Sequence, residues 1–217
     1  MKKIKLSLFL TAMLAVSSVS FAQSNDKGVI QIGVGYGGLI GGGTMSYSDG
    51  IGSYKMVGLR GNYGIRAQYG VAKNISVGVF LRGEGAAYTS TNTNFSGYTI
   101  TNSGAAFGVE GKYYIVNKDK FNFYGAPSIG FSTGQTHYVD ANYTSSKFNM
   151  SGLNYGVGLG INWYWAKFIG MSADLGYSGV SLSGKDNVLN PGTTYTDKFS
   201  SGGVYFGIGL ITKFGGN

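Results

Sequence analysis

The sequence contains no cysteine, a single histidine and only two prolines among 217 residues. The absence of cysteine excludes disulfides, thiolate metal sites and lipid attachment to a cysteine. With one histidine and no cysteine, we expect neither a bound metal nor a cofactor. Charged residues make up only 12% of the chain and mean hydropathy is +0.03, so the composition does not indicate a protein built of transmembrane helices.

Long apolar runs are also absent, apart from a short one near the N-terminus. Three lysines precede the apolar run Leu6–Val16. Ser20 and Ala22 are the small residues that a signal-peptide cleavage site after Ala22 requires. The run is shorter than the roughly 18 residues that a helical membrane anchor needs. We therefore expect residues 1–22 to be a cleaved signal peptide, followed by one exported domain over residues 23–217.

Glycine is abundant, with 39 residues, and it takes part in a strict alternation in the segment Gly152–Trp165. Large apolar residues occupy the odd positions of this segment, and small or polar residues occupy the even ones. Such a period of two indicates an extended strand with one apolar face. At about 3.3 Å per residue and a tilt of about 40°, the strand would cross a hydrocarbon layer of about 25 Å. Strands in soluble proteins usually have only about 5 or 6 residues.

Seven further segments alternate in the same way: Val29–Ile40, Val57–Val71, Ile75–Tyr88, Ala105–Val116, Phe121–Thr133, Phe168–Val180 and Val204–Phe214. Long polar stretches (41–56, 89–103, 134–151 and 181–201) alternate with short turns (72–74, 117–120 and 166–167). This order predicts an all-β fold, an eight-stranded antiparallel up-and-down transmembrane β-barrel with periplasmic turns and four extracellular loops. Pro127 lies inside the fifth segment, where we expect a local irregularity.

Every charged residue of the predicted strands has the parity of the inner face. Since a Lys or Arg on the lipid face costs roughly 2–4 kcal/mol at the bilayer midplane, this sorting supports the barrel. We predict a structural charge cluster that pairs across a packed lumen, formed by Arg60, Arg66, Arg82, Glu84, Glu110, Lys112 and Asp174. Lys213 has the same inward parity. The alternative is a narrow ion path, for which inward glycines such as Gly156, Gly158 and Gly160 would leave space, unless they accommodate inward tyrosines.

The formal net charge of +8 raises the question of nucleic-acid binding. The surplus positive charge is scattered over the predicted turns, at Lys73, Lys118, Lys120 and Lys167. No basic helix or groove collects it, so we expect no nucleic-acid partner. Outward aromatic residues lie near both ends of the predicted strands, as in the aromatic girdles of membrane proteins.

These features together resemble the small OmpA/OmpX-type outer-membrane β-barrel family. The resemblance is carried by the leader, by the eight alternating segments and by Tyr205–Phe214, which is similar to the C-terminal strand signal of outer-membrane proteins. It implies a location in the cell outer membrane, contact with outer-membrane lipids and recognition by the outer-membrane insertion machinery. The resemblance is architectural and implies no particular ligand.

One group of residues raises the question of catalysis. The only histidine, His137, is predicted in the third surface loop near Asp140, Ser145 and Ser146, and some outer-membrane barrels modify lipid A with His and Ser near the outer rim. These residue types are common in polar loops, and their spacing does not place a nucleophile, a base and an orienting group together. We therefore predict no catalytic residue.

The resulting prediction is a monomeric, non-enzymatic outer-membrane protein. Its role is envelope-structural or a surface contact of adhesin type, made through four polar loops to an extracellular ligand that the sequence does not identify. A small pore is the alternative, and a lipid A-modifying enzyme is the third hypothesis.

Overall fold

The computed structural model describes residues 25–47, 52–91, 99–139, 145–186 and 195–215, so the predicted signal peptide lies outside the described residues. The eight strands are β1 (Ile30–Tyr47), β2 (Gly52–Ala72), β3 (Ile75–Ser90), β4 (Thr99–Asn117), β5 (Phe121–Val139), β6 (Ser145–Tyr164), β7 (Ile169–Asp186) and β8 (Tyr195–Phe214). Each strand pairs antiparallel with the next along the chain, and β1 pairs with β8. This closed barrel confirms the predicted fold. No helix in the described ranges is long and apolar enough to span a membrane.

The two faces of the strands are sorted as predicted. In β6, Val157 and Leu159 point outward and are 60% and 52% exposed, whereas Asn154 and Asn162 point inward and are almost completely buried. The same alternation in the other strands leaves a continuous belt of exposed Val, Leu, Ile and aromatic side chains around the barrel. An exposed apolar surface of this extent is typical of contact with lipid.

The strands are longer than predicted at one end. At the turn end, formed by residues 73–74, 118–120 and 165–168, the strands begin and end within a few residues of the predicted positions. At the opposite end, called here the loop end, β5 continues to Val139 and pairs with β6 from Ser145 onward. Most of the predicted polar loops 41–56, 89–103, 134–151 and 181–201 are therefore strand. The prediction was wrong here because hydropathy does not distinguish a polar strand from a polar loop.

Pro127 interrupts one of its two ladders. Between β4 and β5, Glu110 pairs with Ser128 and the next pair is Tyr113 with Gly125. The two residue pairs between them, one of which would include Pro127, are missing from this ladder. On the other side of β5, the pairing of Pro127 with Val157 of β6 is intact. A proline lacks the backbone donor that a ladder needs, so the expected irregularity falls on one edge of the strand only.

Candidate functional site in the barrel lumen

Four of the predicted cluster residues form a compact ionic group, called here the turn-end cluster. Arg66 Nη2 lies 2.7 Å from Asp174 Oδ2 and Arg66 Nη1 lies 4.0 Å from Glu110 Oε1. Lys112 Nζ lies 3.6 Å from the same Glu110 oxygen. Asp174 Oδ1 accepts a hydrogen bond of 2.6 Å from the Tyr124 hydroxyl. Two cations therefore face two carboxylates, so the turn-end cluster is neutral and its buried charges are paired.

Buried tyrosines fill the lumen next to this cluster. Tyr114, Tyr124 and Tyr164 are each at most 1% exposed, and the Tyr114 and Tyr124 ring centroids lie 5.6 Å apart. The Tyr114 hydroxyl donates to Gln31 Oε1 at 3.0 Å, and Lys112 Nζ lies 4.3 Å from the centre of the Tyr124 ring. These rings and their partners obstruct the lumen near the turn end.

The segment before β1 packs against the turns at the same end of the barrel. Asn25 is completely buried, and its backbone N–H donates to Asn117 Oδ1 at 3.0 Å. Asn117 Nδ2 in turn donates to the backbone carbonyls of Asn25 and Lys73, each at 2.5 Å. A side chain thus ties the entering segment to two turns. The sequence alone does not reveal this contact, because nothing in it shows which turn the segment reaches.

The other three predicted residues lie nearer the loop end and are called here the loop-end cluster: Arg60, Arg82 and Glu84. Arg60 Nη2 donates to Ser178 Oγ at 2.7 Å, and the Arg82 guanidinium lies 4.0 Å from the centre of the Phe80 ring. Glu84 Oε2 accepts a hydrogen bond of 3.4 Å from Ser132 Oγ. All three side chains point into the lumen as predicted, but none forms an ion pair within 4.0 Å with a described residue.

An apolar cluster occupies the lumen beyond these residues, toward the loop end. It consists of the inward side chains Met45, Met56, Tyr88, Ile100, Phe148, Met150, Val180, Leu182 and Phe199. Sequence reasoning missed it because most of its members lie in the predicted polar loops. The signal was present: Phe148 and Met150 alternate with Lys147 and Asn149, which is the pattern of a strand with a polar outer face.

The outward face beyond the apolar belt is polar and carries positive charge only. This face carries four exposed lysines, called here the lysine collar. They are Lys55 on β2, Lys147 on β6, Lys185 on β7 and Lys198 on β8. No Asp or Glu takes an outward position in the strands that the structure describes. The strands predicted from the sequence end before these positions, so the surplus charge was expected mainly on the turns.

His137 does not lie in a loop. It takes an outward position of β5, where it pairs with Lys147 of β6 and Thr101 of β4. Ser145 and Ser146 begin β6 and pair with Val139 and Tyr138, whereas Asp140 lies outside the described residues. The turn-end cluster is inside the lumen, on the other face of the wall. The structure therefore does not bring His137 together with the carboxylates of the turn-end cluster.

Comparison with solved structures establishes the type of barrel. The outer membrane protein OprG from Pseudomonas aeruginosa matches with a TM-score of 0.64 at 14% identity, over 90% of this chain and 100% of that chain. The chain has the fold of a small outer-membrane β-barrel. AlkL matches at 13% identity with a TM-score of 0.49, over 90% of this chain and 94% of that one. Ail from Yersinia pestis matches at 13% identity with a TM-score of 0.43, over 87% and 99%. No protein-family model and no curated protein matches the sequence.

The outer-membrane barrel fold and the exposed apolar belt locate the chain in the cell outer membrane, as predicted. In such barrels the short turns face the periplasm and the longer connections face the outside. The turn end is therefore periplasmic, and the loop end with its lysine collar is extracellular.

One inward glycine of the outer-membrane barrel makes room for the turn-end cluster. A methyl group at Gly160 would overlap both Asp174 Oδ1 and the Tyr124 ring, the two groups joined by the shortest hydrogen bond of the cluster. The hypothesis that inward glycines accommodate inward tyrosines is thus supported at this position.

We expect Gly160→Ala to destabilise the outer-membrane barrel by about 1–3 kcal/mol, since the new methyl must displace packed side chains. The measurement is the midpoint of the heat-induced gel-mobility shift in detergent. Gly125 is the matched control, because it is also a strand glycine but has no heavy atom within 4 Å of its built Cβ position. Gly125→Ala should change stability by less than about 0.5 kcal/mol. Equal midpoints for the two variants would contradict this account of Gly160.

Proposed function

We propose that the protein is a non-enzymatic envelope protein whose lysine collar binds the phosphate groups of an anionic glycolipid in the outer leaflet. The observation that carries this proposal is the sign of the outward charge: four exposed lysines, and no acidic residue at an outward position of the described strands. Such a surface suits an anionic partner on the side of the barrel that runs from β6 through β7, β8 and β1 to β2.

The position of the lysine collar supports a lipid partner. On β2, Lys55 is the next outward residue from Val57 toward the loop end. Val57 is 53% exposed and belongs to the apolar belt. The other three collar lysines lie six to eight residues beyond the last exposed large apolar residue of their strands. The collar therefore begins at the edge of the apolar belt and continues outward along the polar strand extensions. Lysine stems can extend along the barrel while the ammonium groups reach the headgroups. Each lysine near an anionic surface contributes about 1 kcal/mol of binding free energy.

The lumen supports a structural role in preference to a pore. The buried tyrosines, the turn-end cluster and the apolar cluster all fill the lumen with side chains, and Asn25 packs against the turns at the periplasmic end. A conducting pore requires a continuous polar path, which these side chains interrupt.

The position of His137 supports a non-catalytic role. An acyl-transfer or hydrolase site would need a base, a nucleophile and an orienting group within hydrogen-bond reach. The strand partners of His137 are Lys147 and Thr101, and neither supplies an orienting carboxylate. Contacts with a soluble extracellular ligand would fall on the connections outside the described residues, and they remain a prediction. The monomeric state and recognition of β8 by the insertion machinery also remain predictions.

The test replaces all four lysines of the collar with glutamine and compares the heat-shift midpoint in two kinds of vesicle. Native protein should be more stable in vesicles whose outer leaflet contains lipopolysaccharide than in phosphatidylcholine vesicles. The collar variant should lose that difference, which we expect to be up to a few kcal/mol at low salt.

The periplasmic turns offer a matched control with the same change in charge. Lys73, Lys118, Lys120 and Lys167 are also four exposed lysines, at the opposite end of the barrel. In these vesicles the glycolipid is confined to the leaflet that surrounds the loop end. The variant with glutamine at the four turn positions should therefore keep the higher stability of the native protein in lipopolysaccharide vesicles. If the turn variant loses the difference and the collar variant keeps it, the proposed function is wrong.

A further inference from the structure

Arg60 is a buried cation that protein groups satisfy only in part. The residue is 6% exposed, and its Nη2 donates to Ser178 Oγ. Its Nε and Nη1 atoms have no acceptor among the described residues. A buried guanidinium without acceptors is costly, since each unsatisfied charged donor keeps its full desolvation penalty.

A small cavity lies beside this guanidinium. Its volume is about 20 Å³, which is enough for one particle of the size of water or chloride. Its lining includes the inward polar residues Arg60, Glu84, Tyr88, Asn102, Ser132 and Ser201. The Phe199 and Leu182 side chains of the apolar cluster also line it.

The lining supplies further donors. Asn102 Nδ2 donates one of its two hydrogens to Thr136 Oγ1 at 2.9 Å, so its second N–H remains available. The Tyr88 and Ser201 hydroxyl oxygens lie 2.9 Å apart, and one of the two hydroxyls donates to the other. The hydrogen of the accepting hydroxyl is then available to a ligand in the cavity. Together with Arg60, these groups present donors from β2, β3, β4 and β8 around one space.

The charges of the lumen favour an anion over a neutral molecule. The turn-end cluster is neutral, with two cations and two carboxylates, whereas the loop-end cluster has two arginines and only Glu84 to balance them. One positive charge is therefore in excess in the loop-end cluster. Arg60 and Glu84 line the cavity itself, whereas Arg82 lines the adjoining part of the lumen together with Glu110 and Asp174. Asp197 is also buried, but it lies four residues beyond Ser201 on β8 and does not line the cavity.

We propose that the lumen binds one small monovalent anion of chloride size in this cavity, held by Arg60 Nε and Nη1 and by the Asn102 amide. The anion neutralises the loop-end cluster and acts as a structural counter-ion inside the outer-membrane barrel. This site is independent of the lysine collar, which lies on the other face of the wall.

Bromide provides a direct probe. Crystals of the full chain soaked in sodium bromide should show one anomalous peak in the lumen, in contact with the Arg60 guanidinium. A lumen without an anomalous peak would mean that only water occupies the cavity and would overturn the proposal.

Solution measurements provide the second test. In a neutral detergent, the heat-shift midpoint of the native chain should be higher in sodium chloride than in sodium gluconate at equal ionic strength. Arg60→Gln should weaken the anion's apparent affinity at least about tenfold, since hydrogen bonds to charged groups are the strong ones. Lys73→Gln, on a periplasmic turn, should retain the native difference.

A second variant keeps the test decisive if Arg60→Gln does not fold. Glu84→Gln removes the only carboxylate of the lining, so it should increase the stabilisation by chloride relative to gluconate. An unchanged or smaller effect of chloride in Glu84→Gln would overturn the proposal.

Discussion

Arginine in place of Leu159 is expected to abolish efficient insertion of the barrel into bilayers. Leu159 lies in the middle of the outward face of β6, between Gly125 of β5 and Leu175 of β7, and is 52% exposed to the lipid. An arginine at the midplane of the lipid face costs roughly 2–4 kcal/mol. The measurement is the fraction of urea-unfolded protein that folds into phosphatidylcholine vesicles, read from heat-modifiable gel mobility.

Two controls separate the charge from the substitution itself. Leu159→Met keeps an apolar side chain of similar size and should insert like the native protein. Gly158→Arg, one residue earlier, directs the guanidinium into the lumen, where Gly158 lines a cavity together with Glu110 and Asp174. This variant should lose stability through crowding, since a Cβ atom there would lie 3.0 Å from the Leu175 carbonyl oxygen. Normal insertion of Leu159→Arg would show that the two faces of β6 are wrongly assigned.

The second large effect is expected at Asp174. Asp174→Asn removes the carboxylate that pairs with Arg66 at 2.7 Å and accepts the Tyr124 hydroxyl at 2.6 Å. Arg66 would then retain only Glu110, at 4.0 Å. Breaking a buried ion pair by removing one partner typically costs about 3–5 kcal/mol, and we expect a loss in that range in the free energy of unfolding. Urea titration in vesicles measures it.

A double variant tests whether the orphaned charge is the cause. Arg66→Gln combined with Asp174→Asn leaves two neutral amides in the lumen and should recover at least about half of the lost stability. Asp119→Asn removes an exposed carboxylate from a periplasmic turn and should have a much smaller effect than Asp174→Asn, because the hydrogen bond from Lys213 goes to the Asp119 backbone carbonyl, which the substitution keeps. A stable Asp174→Asn protein would mean that the ion pair contributes little.

The sequence was sufficient to assign the faces of the strands because lipid imposes the same condition on every outward position. Any charge on the outward face of Gly152–Trp165 would have been costly, so a period of two persists over fourteen residues. Water imposes no such condition. Once the strands leave the bilayer, Ser, Thr and Asn are accepted on either face, and the end of a strand such as β5 can no longer be read from hydropathy.

The partners within the lumen were beyond sequence reasoning for a different reason. Parity shows that Arg66 and Asp174 both point inward, but it does not show that they meet. Their strands, β2 and β7, are not neighbours, and the relative height of two residues across the lumen depends on the tilt and stagger of the whole barrel. In the structure Arg66 forms its short ion pair with Asp174. Glu84 also points inward, but it accepts a hydrogen bond from Ser132.

The pairing of β1 with β8 also has a consequence for the order in which we expect the barrel to assemble. That ladder runs from Ile30–Phe214 to Ser46–Lys198, so it joins residues separated by about 180 positions at its periplasmic end. Bringing such distant segments together costs roughly 4–5 kcal/mol of chain entropy beyond a fixed initial term. All other ladders join consecutive strands and are cheaper to form. We therefore expect closure of the β1–β8 seam to be the last event of folding, and until it occurs both edges stay open to any strand that can pair with them.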